Sequence, residues 1–133
     1  DKNKKKKFIY KTFNNEFKLF LDYLIENFKK NDEIKTFQTA IILLIKYNPT
    51  KLIYLFNYYV TIPYDKIIQK GDYEYFENKD YSSDFTDLKD NGEYVLKTYN
   101  NMRKTISKKS VEHKKFSMKF IQNLSSLSKL YYS

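Results

Sequence analysis

The sequence predicts an all-α protein, a compact bundle of five or six helices with a corner of short helices and loops around residues 63–90. Apolar residues recur at steps of three and four along most of the chain, as on one face of a helix. No segment alternates apolar and polar residues as a strand does. Since the chain has 133 residues, one domain is expected.

The first ten residues are predicted to form a flexible basic arm, followed by a single helical domain over residues 11–133. Lys4, Lys5, Lys6 and Lys7 form a cationic run of the kind that is usually solvated. The first helix is expected at about residues 14–30, capped by Asn14 or Asn15. Its apolar stripe is Phe13, Phe17, Phe20, Leu21, Leu24, Ile25 and Phe28.

A second helix is predicted from Asp32 to about Tyr47. Its centre, residues 40–45, is apolar on every side, which favours a position in the middle of the bundle. Pro49 suits the start of a third helix that runs to about Val60.

The corner begins at Pro63, which fits the first turn of a short helix ending near Gln69. Gly71 can stop that helix in the left-handed conformation, and Asp72 can cap the next turn. A loop is expected at residues 82–91, and a helix from there to about Ile106. The last helix is expected to start at Ser110, with the stripe Phe116, Phe120, Ile121, Leu124, Leu127, Leu130 and Tyr131.

Composition excludes several classes of enzyme. With no cysteine, two glycines and one histidine, His113, the chain has no disulfide framework, thiolate nucleophile, two-histidine metal site or glycine-rich phosphate loop. We therefore predict a non-enzymatic protein without cofactor or metal, in which His113 is exposed to solvent. Convergence of Asp72, Asp80 and Asp84 into an acid/base pair remains an alternative. No apolar run is long enough to cross a membrane.

The net charge is +9, carried by 24 lysines and a single arginine. Residues with A/T-rich codons dominate the chain, so lysine is its ordinary solvated residue and basicity alone is weak evidence for a nucleic-acid partner. Lysines beside aromatic residues still provide candidate phosphate contacts. These candidates are Lys4, Lys5, Lys6, Lys7, Lys108, Lys109, Lys114 and Lys115.

The corner is also the candidate docking site for a protein partner, because interfaces favour aromatic residues at their centres. A purely structural corner is the competing interpretation. The candidate docking residues are Pro63, Tyr64, Asp72, Tyr75, Phe76, Lys79, Asp80 and Tyr81.

The run NPTKLIYLFNYYVTIPYDKIIQKGDYEYFENKDYSSD, residues 48–84, resembles a group of small, largely uncharacterised proteins of nucleocytoplasmic large DNA viruses, the giant viruses. Members share a pattern like PYxxxIxxGDxxFFxxKDYxxD, in which Tyr75 here replaces the first phenylalanine. The run SVEHKKFSMKFIQNLSSLSKLYY is similar to the final helix of that group. The resemblance implies a viral origin, and a location in the cytoplasm of the infected host cell or in the virion, but no activity.

The leading functional expectation is a non-enzymatic interaction module that docks on a viral or host protein through the aromatic corner. The alternative is a basic nucleic-acid-binding protein that acts in the infected cell or in the virion.

Overall fold

A computed structural model describes residues 1–28, 32–78 and 111–133. These ranges contain six α-helices, two of which are joined into one continuous stretch, and no strand. A π-helical segment, Asn57–Thr61, joins two of the helices without a break. The helices are α1 (Lys2–Asn27), α2 (Asp32–Tyr47), α3 (Lys51–Phe56), α4 (Ile62–Lys70), α5 (Tyr73–Asn78) and α6 (Val111–Tyr131). The all-α fold class is confirmed. The loop and helix predicted over residues 82–106 lie outside the described residues.

α6 runs antiparallel to α1. Aromatic rings meet along the whole contact, so the start of one helix lies beside the end of the other. The pairs are Tyr10–Tyr131, Phe20–Phe120 and Tyr23–Phe116, with ring centroids 6.4, 5.1 and 4.5 Å apart.

α1 begins at Lys2, so the expected helix start near residue 14 is wrong. The four lysines of the predicted arm lie in the first two turns of this helix, which Ile9 and Tyr10 attach to the core. Asn14 is not a cap. It is 4% exposed, and its Nδ2 donates to the carbonyl of Pro49 at 2.9 Å, which ties α1 to the turn before α3.

The main hydrophobic core lies between α1, α2, α3 and α6. Most of the stripe predicted for the first helix is buried there. The buried members are Phe13, Phe20, Leu21, Leu24, Phe28, Ile34, Ile41, Leu52, Ile53 and Leu124. Truncating a fully buried leucine or isoleucine of such a core to alanine typically costs about 2–5 kcal/mol.

α2 has the predicted bounds, but its predicted central position is wrong. Ile34 and Ile41 are buried, whereas Ile42 and Leu43 are 45% and 48% exposed. α2 packs mainly on α1 and α3, so the opposite side of its apolar centre faces outward in the part of the chain that the structure describes.

The chain passes from α3 to α4 through the π segment, where a break after Val60 was expected. The N–H of Ile62 donates to the carbonyl of Asn57, five residues back, and Pro63 follows at once. Proline in a helix displaces the carbonyl four residues earlier, and a π-helical turn accommodates that displacement. Tyr64 then departs from helical geometry (φ −123°, ψ 15°), which marks a kink.

α6 approaches the π segment closely because its buried positions there are serines. Ser125 and Ser128 are 3% and 0% exposed. The Ser128 hydroxyl donates to the Ser125 carbonyl at 2.9 Å and accepts from Thr61 Oγ1 at 2.7 Å. Phe116 and Leu130, predicted to be core residues, are 47% and 57% exposed instead.

We expect Thr61→Val to destabilise the fold by about 1–2 kcal/mol, because valine fills the same volume but cannot donate to the buried Ser128 hydroxyl. Urea unfolding followed by circular dichroism measures the change. Thr39→Val, on the exposed side of α2, is the matched control and should stay within about 0.5 kcal/mol of the parent. Equal midpoints for the two variants would show that the buried hydrogen bond contributes nothing.

Candidate interaction surfaces

Two aromatic residues of the predicted docking corner are buried. Tyr64 and Phe76 are 8% and 7% exposed and form a second hydrophobic cluster with Ile68 and Met118. Their ring centroids lie 5.7 Å apart in an edge-on arrangement. These two rings therefore contribute to packing and are not available to a partner.

The local chemistry predicted for the corner is confirmed. Gly71 ends α4 in the left-handed conformation (φ 69°), and Asp72 Oδ1 accepts from the N–H of Tyr75 at 3.2 Å. Gln122 of α6 donates to the carbonyl of Ile68 at 2.9 Å. A Cβ at residue 71 would lie 3.4 Å from the amide nitrogen of Gln122, so the corner fits closely against α6.

Only part of the predicted docking surface remains accessible. Pro63, Asp72 and Tyr75 are exposed, and so is Ile62 beside the proline. Lys79, Asp80 and Tyr81 lie outside the described residues. So does Asp84, which leaves the proposed convergence of carboxylates with Asp72 as a prediction.

The predicted phosphate-contacting lysines fall into two separate groups. Lys4 to Lys7 lie at the start of α1, whereas Lys114 and Lys115 lie at the start of α6. Because these helices are antiparallel, the two groups lie at opposite ends of the pair. The 16 residues from Lys7 to Tyr23, which is level with the second group, correspond to about 24 Å of helix. Lys108 and Lys109 lie outside the described residues.

The first lysine group lies beside a row of tyrosines. Lys6 Nζ is 5.0 Å from the ring centre of Tyr131, and Lys51 Nζ is 5.1 Å from that of Tyr54. Both are cation–π distances. We call this region the lysine–tyrosine surface. It comprises Lys4, Lys5, Lys6, Lys7, Lys51, Tyr54, Tyr58, Tyr131 and Tyr132.

The segments that build this surface carry few acidic residues. The sequence has none between Asp1 and Glu16, none between Glu33 and Asp65, and none after Glu112. These stretches therefore contribute a local excess of positive charge, which favours anions.

Sequence reasoning did not select Tyr54, Tyr58 or Tyr132. The first two are four residues apart in a helical segment whose buried face is Leu52 and Ile53, so their exposure follows from helical spacing. Their proximity to Tyr132 depends on a contact between residues far apart in sequence. No local signal indicates it.

His113 is half-buried, so the prediction that it faces solvent is wrong. Its ring lies 6.1 Å from that of Phe28, and its Nδ1 is hydrogen-bonded to the hydroxyl of Tyr23. The pair joins α1 to the first turn of α6. Burial raises the pKa of Tyr23 above its usual value.

A cleft of about 350 Å³ lies between α4 and α6. Its charged residues pair with each other, since Lys129 Nζ lies 3.0 Å from Asp65. Within the described ranges, no group of acidic or histidine side chains is arranged to hold a metal ion. No helix in those ranges is long and apolar enough to span a bilayer.

Comparison with known proteins identifies no relative: no family model matches the chain, and neither a curated protein nor a solved structure resembles it significantly. The geometry of the surfaces therefore carries the functional argument.

Tyr23→Phe should make the protein less stable at neutral pH and less sensitive to alkali. An unfolded tyrosine has a pKa near 10, whereas partial burial raises the pKa of Tyr23 in the folded protein. As the pH rises past 10, the unfolded chain therefore loses this proton first, and unfolding becomes more favourable. Phenylalanine removes this dependence and also the hydrogen bond to His113, which is worth about 1 kcal/mol.

Urea midpoints measured at neutral pH and between pH 9 and 11 test this expectation. Tyr75→Phe is the control, because Tyr75 is exposed. If both variants lose stability with pH as steeply as the parent, the contribution of Tyr23 is absent.

Proposed function

We propose that this protein is a non-enzymatic, nucleic-acid-binding module that contacts its ligand through the lysine–tyrosine surface. The observation that carries the proposal is that two lysines lie over tyrosine rings at the end of the bundle where other tyrosines are exposed, Lys6 over Tyr131 and Lys51 over Tyr54. Tyr54, Tyr58 and Tyr132 are 46%, 51% and 45% exposed. Lysine supplies contacts to phosphate, and tyrosine supplies a face on which a base can stack.

The distribution of lysine favours this surface over the other predicted group. Lys4, Lys5 and Lys7 are exposed within one turn of α1, and Lys51 is exposed on α3. At the other end, Lys114 lies 5.9 Å from the ring of Tyr73 but shares that end of the bundle with Asp72, Glu74 and Glu112. A phosphate backbone is therefore attracted more strongly to the lysine–tyrosine surface.

A second candidate function is docking on a protein through the exposed part of the corner. Ile62 is 67% exposed beside the exposed Pro63, and Tyr75 is 41% exposed with its ring centroid 6.3 Å from that of the buried Tyr64. Such apolar contacts would be much less sensitive to salt than phosphate contacts.

The giant-virus origin, and the location in the infected-cell cytoplasm or the virion, remain predictions from the sequence resemblance. They are compatible with either ligand. The choice between the two functions therefore depends on binding measurements.

We expect the full chain to bind a labelled oligonucleotide at roughly 50 mM salt and to lose affinity steeply at roughly 200 mM. The triple variant Lys4→Gln, Lys5→Gln, Lys7→Gln should lower the slope of log affinity against log salt by about 2 on single strands, because each phosphate contact contributes about 0.7. Fluorescence polarisation measures both slopes.

The matched control is Lys35→Gln, Lys70→Gln, Lys115→Gln, which removes the same charge from exposed lysines near the other end. It should change the slope by much less. Equal effects of the two triple variants would argue against the lysine–tyrosine surface, and absence of binding at the lower salt would contradict nucleic-acid binding altogether.

A further inference from the structure

We propose that the lysine–tyrosine surface selects single-stranded over double-stranded nucleic acid, and that Tyr54, Tyr58 and Tyr132 form its base-stacking platform. This inference rests on the proposed function and specifies its ligand class. It requires three properties of the surface: exposed aromatic side chains, their placement at one end of the bundle, and cations close to them.

The ring faces are exposed and two of them are nearly parallel. Tyr54 and Tyr58 lie one helical turn apart, with ring centroids 6.3 Å apart and planes inclined by only 15°. Since about half of each residue is accessible, a base can approach the two rings without any rearrangement of the core. Every base has a π-face, so such a platform accepts many sequences.

The third tyrosine extends this platform onto α6. Tyr132 is neighboured by Tyr54 and Tyr131, whose charges, after burial, raise its pKa above the usual value. The ring centroid of Tyr131 is 4.9 Å from that of Tyr132, in an edge-on arrangement. α3 packs against α6, so Tyr132 lies at the same end of the bundle as Tyr54 and Tyr58.

The cations lie beside the rings, where the phosphates of a stacked strand would run. Lys51 Nζ lies 5.1 Å above the ring centre of Tyr54, and Lys6 Nζ lies 5.0 Å above that of Tyr131. Lys4, Lys5 and Lys7 add exposed positive charge within one turn of Lys6. This combination of a cationic track with stacking aromatics is typical of proteins that bind single strands with little sequence preference.

A duplex cannot use the same contacts. Its base faces are stacked on each other and hidden, so only its phosphates could reach this surface. Specific readout of duplex DNA through guanine relies chiefly on arginine, and Arg103 is the only arginine in the chain. Stacking thus adds affinity for unpaired bases only.

The test is a polarisation titration of the full chain with a labelled 20-nucleotide oligo-dT and with a 20-base-pair duplex at one salt concentration. We expect tighter binding of the single strand. The variant Tyr54→Leu, Tyr58→Leu and the variant Tyr132→Leu should each weaken single-strand binding at least fivefold, as loss of about 1 kcal/mol of stacking requires, and leave duplex binding unchanged.

Tyr54→Phe, Tyr58→Phe keeps the ring faces and should bind the single strand within twofold of the parent. Tyr75→Leu, a change to an exposed tyrosine of α5, is the matched control and should have no effect. Urea midpoints for all variants show that each one is folded.

Equal or tighter binding of the duplex would overturn the inference, as would leucine variants that retain single-strand affinity. If either result occurred while the Lys4, Lys5, Lys7 variant still lowered the salt slope, the nucleic-acid function would stand and only the stacking platform would fail. If neither ligand binds, both proposals fail.

Discussion

The rest of the structure depends on the packing of α6 against two neighbours at once, α1 on one side and the π segment with α4 on another. Along one side α6 meets α1 through aromatic rings and gives Leu124 to the main core, and along another it gives Met118 to the second cluster. Small buried serines allow the π segment and α4 to reach the backbone of α6, where Thr61 and Ser128 share a hydrogen bond. A larger side chain at Ser128 would force these helices apart, because it is fully buried.

This arrangement determines which side chains form surfaces. Because α1 and α6 are antiparallel, Tyr131 and Tyr132 come to lie beside the first turns of α1 and the start of α3. The lysines of α1 and the tyrosines of three different segments thereby share one end of the bundle. The corner at Gly71 lies near the opposite end, since Tyr73 is level with Lys114. The lysines of α1 and the Gly71 end of the corner can therefore be altered independently, whereas Ile62 lies only one helical turn beyond Tyr58.

Local chemistry predicted much of the fold, including the bounds of α2, the left-handed stop at Gly71 and the cap at Asp72. It missed the start of α1, because a run of lysines is typical of a solvated tail. Lysine nevertheless has a high helix propensity, and Ile9 and Tyr10 attach this part of the helix to the core. It also misplaced α2, since an apolar run does not indicate how many neighbours surround it. The candidate site was predicted only in part: its lysines are local in sequence, whereas its tyrosines come together only because α3 packs against α6.

The cation–π contacts relate the two halves of the proposed site. Lysine is flexible and strongly hydrated, so an isolated surface lysine loses entropy when it contacts a phosphate. A lysine that already rests on a tyrosine ring has lost part of that freedom, and both Lys6 and Lys51 are held in this way. Under the proposed function, a base that stacks on Tyr58 or Tyr132 would bring its own phosphate near these ammonium groups. Base and phosphate recognition would then occur on a single nucleotide, which neither the lysine run nor the tyrosines could achieve alone.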